Sequence, residues 1–117
     1  MSFFERKGFD AFATSLAGVT LVDQWESRVA KVGGKVFALL TDGEARIVIK
    51  VSEESFEILT ALDGIEQAPY FAKRKWVAIA STAPLPEEEL RHYLVRSYEL
   101  VAAGLTKKLR SELGISL

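Results

Sequence analysis

A chain of 117 residues with 49 % hydrophobic and 26 % charged side chains has the composition of one globular domain, long enough to bury a core of its own. Its 15 basic and 16 acidic residues leave a net charge of -1, which excludes a global positive field, so any contact with nucleic acid falls to a local patch. The absence of cysteine excludes disulfides, thiolate chemistry and Cys-based zinc sites.

The start of the chain, Met1-Ser-Phe-Phe-Glu-Arg-Lys7, puts charge directly after two aromatics, unlike a secretory leader. No uncharged apolar run approaches the roughly 18 residues of a membrane span. A soluble, cytoplasmic protein without a membrane partner is expected.

The first helix is expected from about Phe3 to Leu16. Ser2 and Glu5 are spaced as a capping box. Phe9, Phe12, Ala13 and Leu16 fall at i, i+3, i+4 and i+7 and make one apolar face. Gly18 is a suitable stop. Strands are expected over Arg28 to Val32, Lys35 to Thr41 and Ala45 to Val51. Gly33-Gly34 joins the first two as a hairpin turn, because both positions tolerate positive φ. Asp42-Gly43 turns the chain into the third. There Ala45, Ile47, Ile49 and Val51 share one face, while Arg46, Val48 and Lys50 share the other. The isoleucines belong on the core and the cations outside. Val48, between two cations, implies that the outer face is partly covered, by a partner.

Ser52 is an expected N-cap, with Glu53 and Glu54 in the favourable first turn of a short second helix. That helix runs to about Leu62, and Asp63-Gly64 ends it. Strands near Gln67 to Ala72 and over Lys75 to Ser81 flank a basic triplet. The last helix opens at Pro86, with Glu87, Glu88 and Glu89 at its N-terminus and Lys107, Lys108 and Arg110 at its C-terminus. Its apolar stripe is Leu90, Leu94, Val101 and Leu105, with Tyr98 between. The order α-β(3)-α-β(2)-α predicts a single two-layer α+β domain over residues 1–117. Consecutive hairpins make a curved antiparallel sheet, with the helices on one face.

With these elements in place, several segments resemble the MmcQ/YjbR family in order and spacing. They are Leu16-Ala-Gly-Val19, Lys31-Val-Gly-Gly-Lys-Val-Phe-Ala-Leu-Leu40, Ile49-Lys-Val51, Lys73-Arg-Lys-Trp-Val77, Leu85-Pro-Glu-Glu-Glu-Leu90 and Ser97-Tyr-Glu-Leu-Val101. The similarity covers nearly the whole length. It implies a CyaY-like or secretion-chaperone-like fold, a single curved antiparallel sheet with helices on one side. It also implies the name such proteins carry, DNA-binding protein with a double-wing motif, which rests largely on fold. The chain departs from the family pattern in two places. Ala17 stands where the family has proline, and Ala72 and Lys75 stand where Asn and His are common, so polar groups are lost and charge is gained.

The site that stands out is Lys73-Arg74-Lys75 followed by Trp76, with Tyr70 nearby: positive charge beside flat aromatic surface, the pairing a nucleic-acid contact uses. Arg46 and Lys50 on the outer sheet face, with Lys31 and Lys35 beside the first hairpin, extend it to a basic surface. The plainer readings are a solvated turn with Trp76 in the core, and charges that keep a sheet soluble. His92 is the only histidine and lies off the apolar stripe, so an exposed side chain and no metal are expected. Glu87, Glu88 and Glu89 answer to the helix dipole rather than to catalysis. Asp23, Trp25 and Glu26 are candidates to line a small pocket. No cofactor is implied.

Three readings of function follow. The first is a non-enzymatic module that binds DNA weakly and electrostatically through the hairpin and sheet face. The second is a chaperone-like protein-interaction module, with a protein partner or a homodimer and no nucleic-acid role. The third, a small-ligand protein or enzyme, ranks last, because no nucleophile, base and oxyanion donor assemble.

Overall fold

A hairpin that opens the sheet is the main addition to the expected order. The computed structural model describes residues 2–43, 45–69, 71 and 75–117. In chain order the elements are α1 (Arg6–Thr14), β1 (Val19–Gln24), β2 (Ser27–Val32), β3 (Lys35–Thr41), β4 (Arg46–Lys50), α2 (Glu53–Thr60), β5 (Ile65–Gln67), β6 (Trp76–Ala80), α3 (Glu87–Ala102) and α4 (Lys107–Glu112). The six strands run in the order β1-β2-β3-β4-β6-β5, each antiparallel to its neighbours. The expected class, an α+β domain with an antiparallel open sheet, holds. One strand and one helix are added to it.

The added strand is β1. Its turn into β2 consists of Trp25 and Glu26, both at positive φ (55° and 54°). Two-residue hairpin turns with positive φ at both positions normally use Asn-Gly or Gly-Gly. Each non-glycine residue held there costs about 1–3 kcal/mol. The turn therefore carries no sequence signal, and the strand before it is not announced.

α1 begins at Arg6, not Phe3. The capping box does not form: Ser2 Oγ accepts the Phe4 N–H at 3.1 Å, and Glu5 is the N-cap without a side-chain bond. Phe3 instead folds into the core, edge-on to Phe12 at 5.3 Å. Burying that ring outweighs one more turn of helix. The Ser52 cap does form, accepting the Ser55 N–H at 3.1 Å. β5 is shorter and earlier than the strand expected over Gln67 to Ala72, part of which lies outside the described residues.

The long last helix divides in two. α3 ends at Ala102, and Thr106 caps the separate α4 by accepting the Leu109 N–H at 3.1 Å. Leu105 lies in the linker and packs against the β2–β3 turn. A Cβ added to Gly33 would meet Leu105 at 2.7 Å. Lys107 and Lys108 thus open a short helix rather than end a long one. Arg110 reaches back to the Ala103 carbonyl at the end of α3 (3.4 Å).

The helices pack on one face of the sheet. Phe9 and Phe12 of α1, Phe56 and Leu59 of α2, and Leu90, Leu94 and Tyr98 of α3 close over Ala30, Val32, Phe37, Leu40, Ile47, Ile49, Val77 and Ile79. This is the face the β4 alternation predicts. A β-bulge interrupts β3: Ala30 pairs with Ala38, but Lys31 pairs with Val36, leaving Phe37 as the extra residue. Bulges sharpen the twist of a sheet and leave a backbone group unpaired. Both Phe37 and Ala38 consequently face the helices. No helix of the described residues is long and apolar enough to cross a membrane.

Candidate functional site: the outer sheet face

Residues directly opposite one another in an antiparallel pair share a face, so register assigns the outer surface. Val29, Leu39, Val48 and Ala78 form an apolar strip across its centre, joined by Ala68 and flanked by Val22, Val36, Phe71 and Trp76. Val48 is only 6 % exposed. The cover inferred for it comes from this chain itself, through Ala68, Phe71 and Trp76. The Trp76 ring lies tilted against Phe71, with centroids 4.6 Å apart, so Trp76 is half-buried rather than part of the main core.

The residues proposed for nucleic-acid contact separate in space. Lys50 pairs with Trp76 across β4 and β6. Lys31 lies on the same outer face, paired with Val36. These three gather at one end of the sheet. Lys75 is exposed just before β6, and its carbonyl accepts the Val51 N–H at 2.7 Å. Arg46 stands at the opposite end of β4, where its Nη1 donates to the Glu66 carboxylate at 2.7 Å. Lys35 pairs with Val32, which faces the helices, and its ammonium lies beside Gly104. The carbonyl end of α3 is a favourable place for a cation, but it removes Lys35 from the outer face. Lys73, Arg74 and Tyr70 lie outside the described residues.

The far end of the outer face holds an open hollow of about 550 Å³, lined by Trp25, Ser27, Leu39, Thr41, Val48, Pro69 and Phe71. Its two hydroxyls are already engaged with backbone. Ser27 donates to the Trp25 carbonyl at 3.2 Å, and Thr41 Oγ1 accepts the Arg46 N–H at 3.0 Å. Among the described residues the floor is therefore apolar and uncharged. Trp25 stands at the rim, 63 % exposed. Asp23 does not line the hollow. It turns to the helix side, where Arg6 donates to it at 3.0 Å and Arg28 at 3.4 Å. The Arg6 hydrogen bond, aided by the charges of Arg6 and Arg28, holds the Asp23 carboxyl below the usual carboxylate range. Asp10 grips Arg28 from the other side at 3.0 and 3.1 Å. His92 is exposed on α3, its ring 5.5 Å from Tyr93.

Sequence reasoning named Trp25 but missed Leu39 and Phe71 as its partners in the hollow. The available signal was a tryptophan between two alternating runs, with no glycine to announce the turn.

A single antiparallel sheet, helices on one face and an apolar hollow on the other define a two-layer α+β domain with an open sheet face. A family model described as YjbR matches residues 14–100, and the chain belongs to the YjbR family. It is similar to a Deinococcus radiodurans protein, DR2400, assigned to the family DUF419. That likeness has a TM-score of 0.84 at 27 % identity, covering 94 % of this chain and 88 % of the other. It also shares its fold with a Pseudomonas syringae protein solved by structural genomics, with a TM-score of 0.71 at 22 % identity, covering 82 % of this chain and 97 % of the other. No curated protein matches the chain.

Proposed function

We propose that this YjbR domain is a non-enzymatic binding module and that the outer sheet face receives a protein partner. One observation carries the reading: an apolar hollow of about 550 Å³ with an exposed tryptophan at its rim. Hollows of this size, lined by apolar and aromatic groups, hold single side chains or small ligands. Tryptophan beside a desolvated pocket is the composition of an interface hot spot. Covering the Trp25 ring would contribute about 1.5–3 kcal/mol to association. In support of a non-enzymatic role, the described residues of the lining offer no titratable group, and their hydroxyls are bound to backbone.

The test is photo-crosslinking in cells from p-benzoylphenylalanine placed at position 25, with position 58 on α2 as the control. A defined protein should crosslink from 25 and not from 58. The purified partner should then lose most of its affinity for Trp25→Gly. Equal labelling from both positions, or labelling of nucleic acid alone, would sink the reading.

A second reading is weak nucleic-acid binding, in keeping with the double-wing name. It is favoured by Lys50 beside the stacked Trp76, with Lys75 next in the chain and Lys31 at the same end of the sheet. Duplex DNA binding should then weaken with salt by a slope of about 0.9 per phosphate neutralised. Lys50→Glu/Lys75→Glu should abolish it in fluorescence anisotropy. Binding indifferent to salt, or unchanged in that variant, would exclude it.

A further inference from the structure

We infer that β1 is a pairing edge and that its partner strand is the β1 of a second copy, joined antiparallel about Leu21 so that the two sheets become one. The inference goes beyond the outer-face reading and does not depend on it.

β1 ends the sheet on one side, so one row of its backbone groups faces outward. The ladder identifies that row. The Gly33 N–H donates to the Gly18 carbonyl at 3.4 Å, and from Val19 to Gln24 the strand pairs with β2 without a shift in register. Residues along an antiparallel pair alternate between bonded and non-bonded positions. Counted from Gly18, Thr20, Val22 and Gln24 are the bonded ones. Val19, Leu21 and Asp23 therefore turn their N–H and C=O groups to the free edge. No segment among the described residues hydrogen-bonds to the backbone of these three.

The edge is not blunted. Proteins commonly protect a sheet edge by shortness, lysine, proline or a bulge. The opposite edge, β5, has only three residues. β1 has six, Val-Thr-Leu-Val-Asp-Gln, with no proline, no cation and no bulge. Its one charge, Asp23, is held by Arg6 and Arg28. Val19 and Leu21 on the helix side and Val22 on the outer side stay only partly buried against the two faces of the sheet, so apolar surface remains to be covered.

The same edge is complementary to itself. Centred on Leu21, the register sets Leu21 opposite Leu21 of the second copy and Val19 opposite Asp23. Each of the three outward residues then both donates and accepts. A register centred on Val22 would instead set Val19 against the Trp25 turn. The Leu21 register keeps each face with its like: the helices of both copies lie on one side, and on the other Thr20 meets Val22 of the second copy. Acidic side chains do not oppose each other. The two Asp23 residues stand about 14 Å apart along the strands, beyond the screening length of about 8 Å at physiological salt. A net charge of -1 leaves little long-range repulsion between copies. One strand pair is a small interface, so the association is weak and reversible.

The test combines sedimentation velocity with amide hydrogen exchange read by NMR, on the wild type from about 10 μM to about 1 mM. The mean mass should rise towards that of a dimer. At the upper concentration the Val19, Leu21 and Asp23 amides should exchange about tenfold more slowly, since only the unpaired chain opens them to water. The Thr20, Val22 and Gln24 amides should not change. Thr20→Lys/Val22→Lys sets like charges opposite one another across the twofold, as does Thr20→Glu/Val22→Glu, so each should stay monomeric, and mixing the two should restore the dimer. The wild-type exchange pattern decides the case even where a variant fails to unfold cooperatively. A monomer at every concentration would overturn the second copy. A dimer that leaves the three amides unprotected would overturn the edge. Protection in the wild type that the mixed variants fail to restore would overturn the register about Leu21.

Discussion

The Ser97 hydroxyl on α3 donates to the Phe37 carbonyl in β3 at 2.6 Å, across 60 residues of chain. The same oxygen accepts the Lys50 N–H of β4 at 2.9 Å. Phe37 is the bulge residue, and the direct β3–β4 pairing stops one step earlier, at Ala38 and Ile49. Ser97 thus completes a ladder that the bulge would leave open, from a position with no exposed surface.

Ser97→Ala removes one hydroxyl and leaves the buried Phe37 carbonyl and the part-buried Lys50 N–H without this partner. The expected cost is about 1–3 kcal/mol, read as a lower denaturation midpoint with an unchanged slope. The Lys50 amide should exchange with solvent faster than its neighbours in β4. A variant as stable as the wild type would mean that water or a local shift fills the gap.

Gly33 and Gly34 look alike in sequence, and both sit at positive φ. A Cβ at Gly33 meets Leu105 at 2.7 and 2.9 Å, whereas at Gly34 it meets nothing within 4 Å. Gly34→Ala should therefore cost only the backbone strain, about 1–2 kcal/mol. Gly33→Ala should cost that plus an overpacking penalty of about 1–3 kcal/mol. Parallel unfolding curves test the ordering, and equal losses would show that Leu105 yields freely.

Replacing Trp25-Glu26 by Asn-Gly supplies the residues this turn geometry favours. Stability should rise by about 1–2 kcal/mol, raising the melting temperature, while partner binding through the hollow is lost. Opposite signs in stability and binding are the signature of a strained functional site. A stability loss would show that Trp25 is held by packing.

The Arg6–Asp23–Arg28 bridge predicts a pH dependence. The Asp23 pKa is lowered in the folded chain from its ordinary value of 3.8. The unfolded chain binds the proton more readily, so the bridge contributes its stability above about pH 4. That contribution is lost as pH falls through the depressed folded value. Because Asp23 is exposed, the effect should be small and screened by salt. Asp23→Asn should flatten the acid limb of the stability curve at low ionic strength and leave stability unchanged below it. An unaltered acid limb would count against the bridge.

Several features were readable from contiguous residues alone. The strict alternation of Arg46 to Lys50 assigns each side chain to a face, because a strand has period two. Gly33-Gly34 announces a turn through its tolerance of positive φ, and Ser52 announces a cap through its oxygen. These are local properties, and the α+β class follows from their order. Other features depend on residues far apart in sequence and were decided by tertiary structure. β1 stayed hidden because Trp25-Glu26 is not a turn sequence; the rest of the fold holds it in that conformation. The split between α3 and α4 follows from Leu105 packing on Gly33. The register with Val32 sends Lys35 to the helix side, Glu66 engages Arg46 from a neighbouring part of the sheet, and Ala68, Phe71 and Trp76 cover Val48. Sequence alone made this an α+β domain with cations along its strands. Only the register and packing of the whole sheet separated those cations and opened an apolar hollow beside Trp25, because convergence in space is a property of the folded chain and periodicity is a property of neighbours.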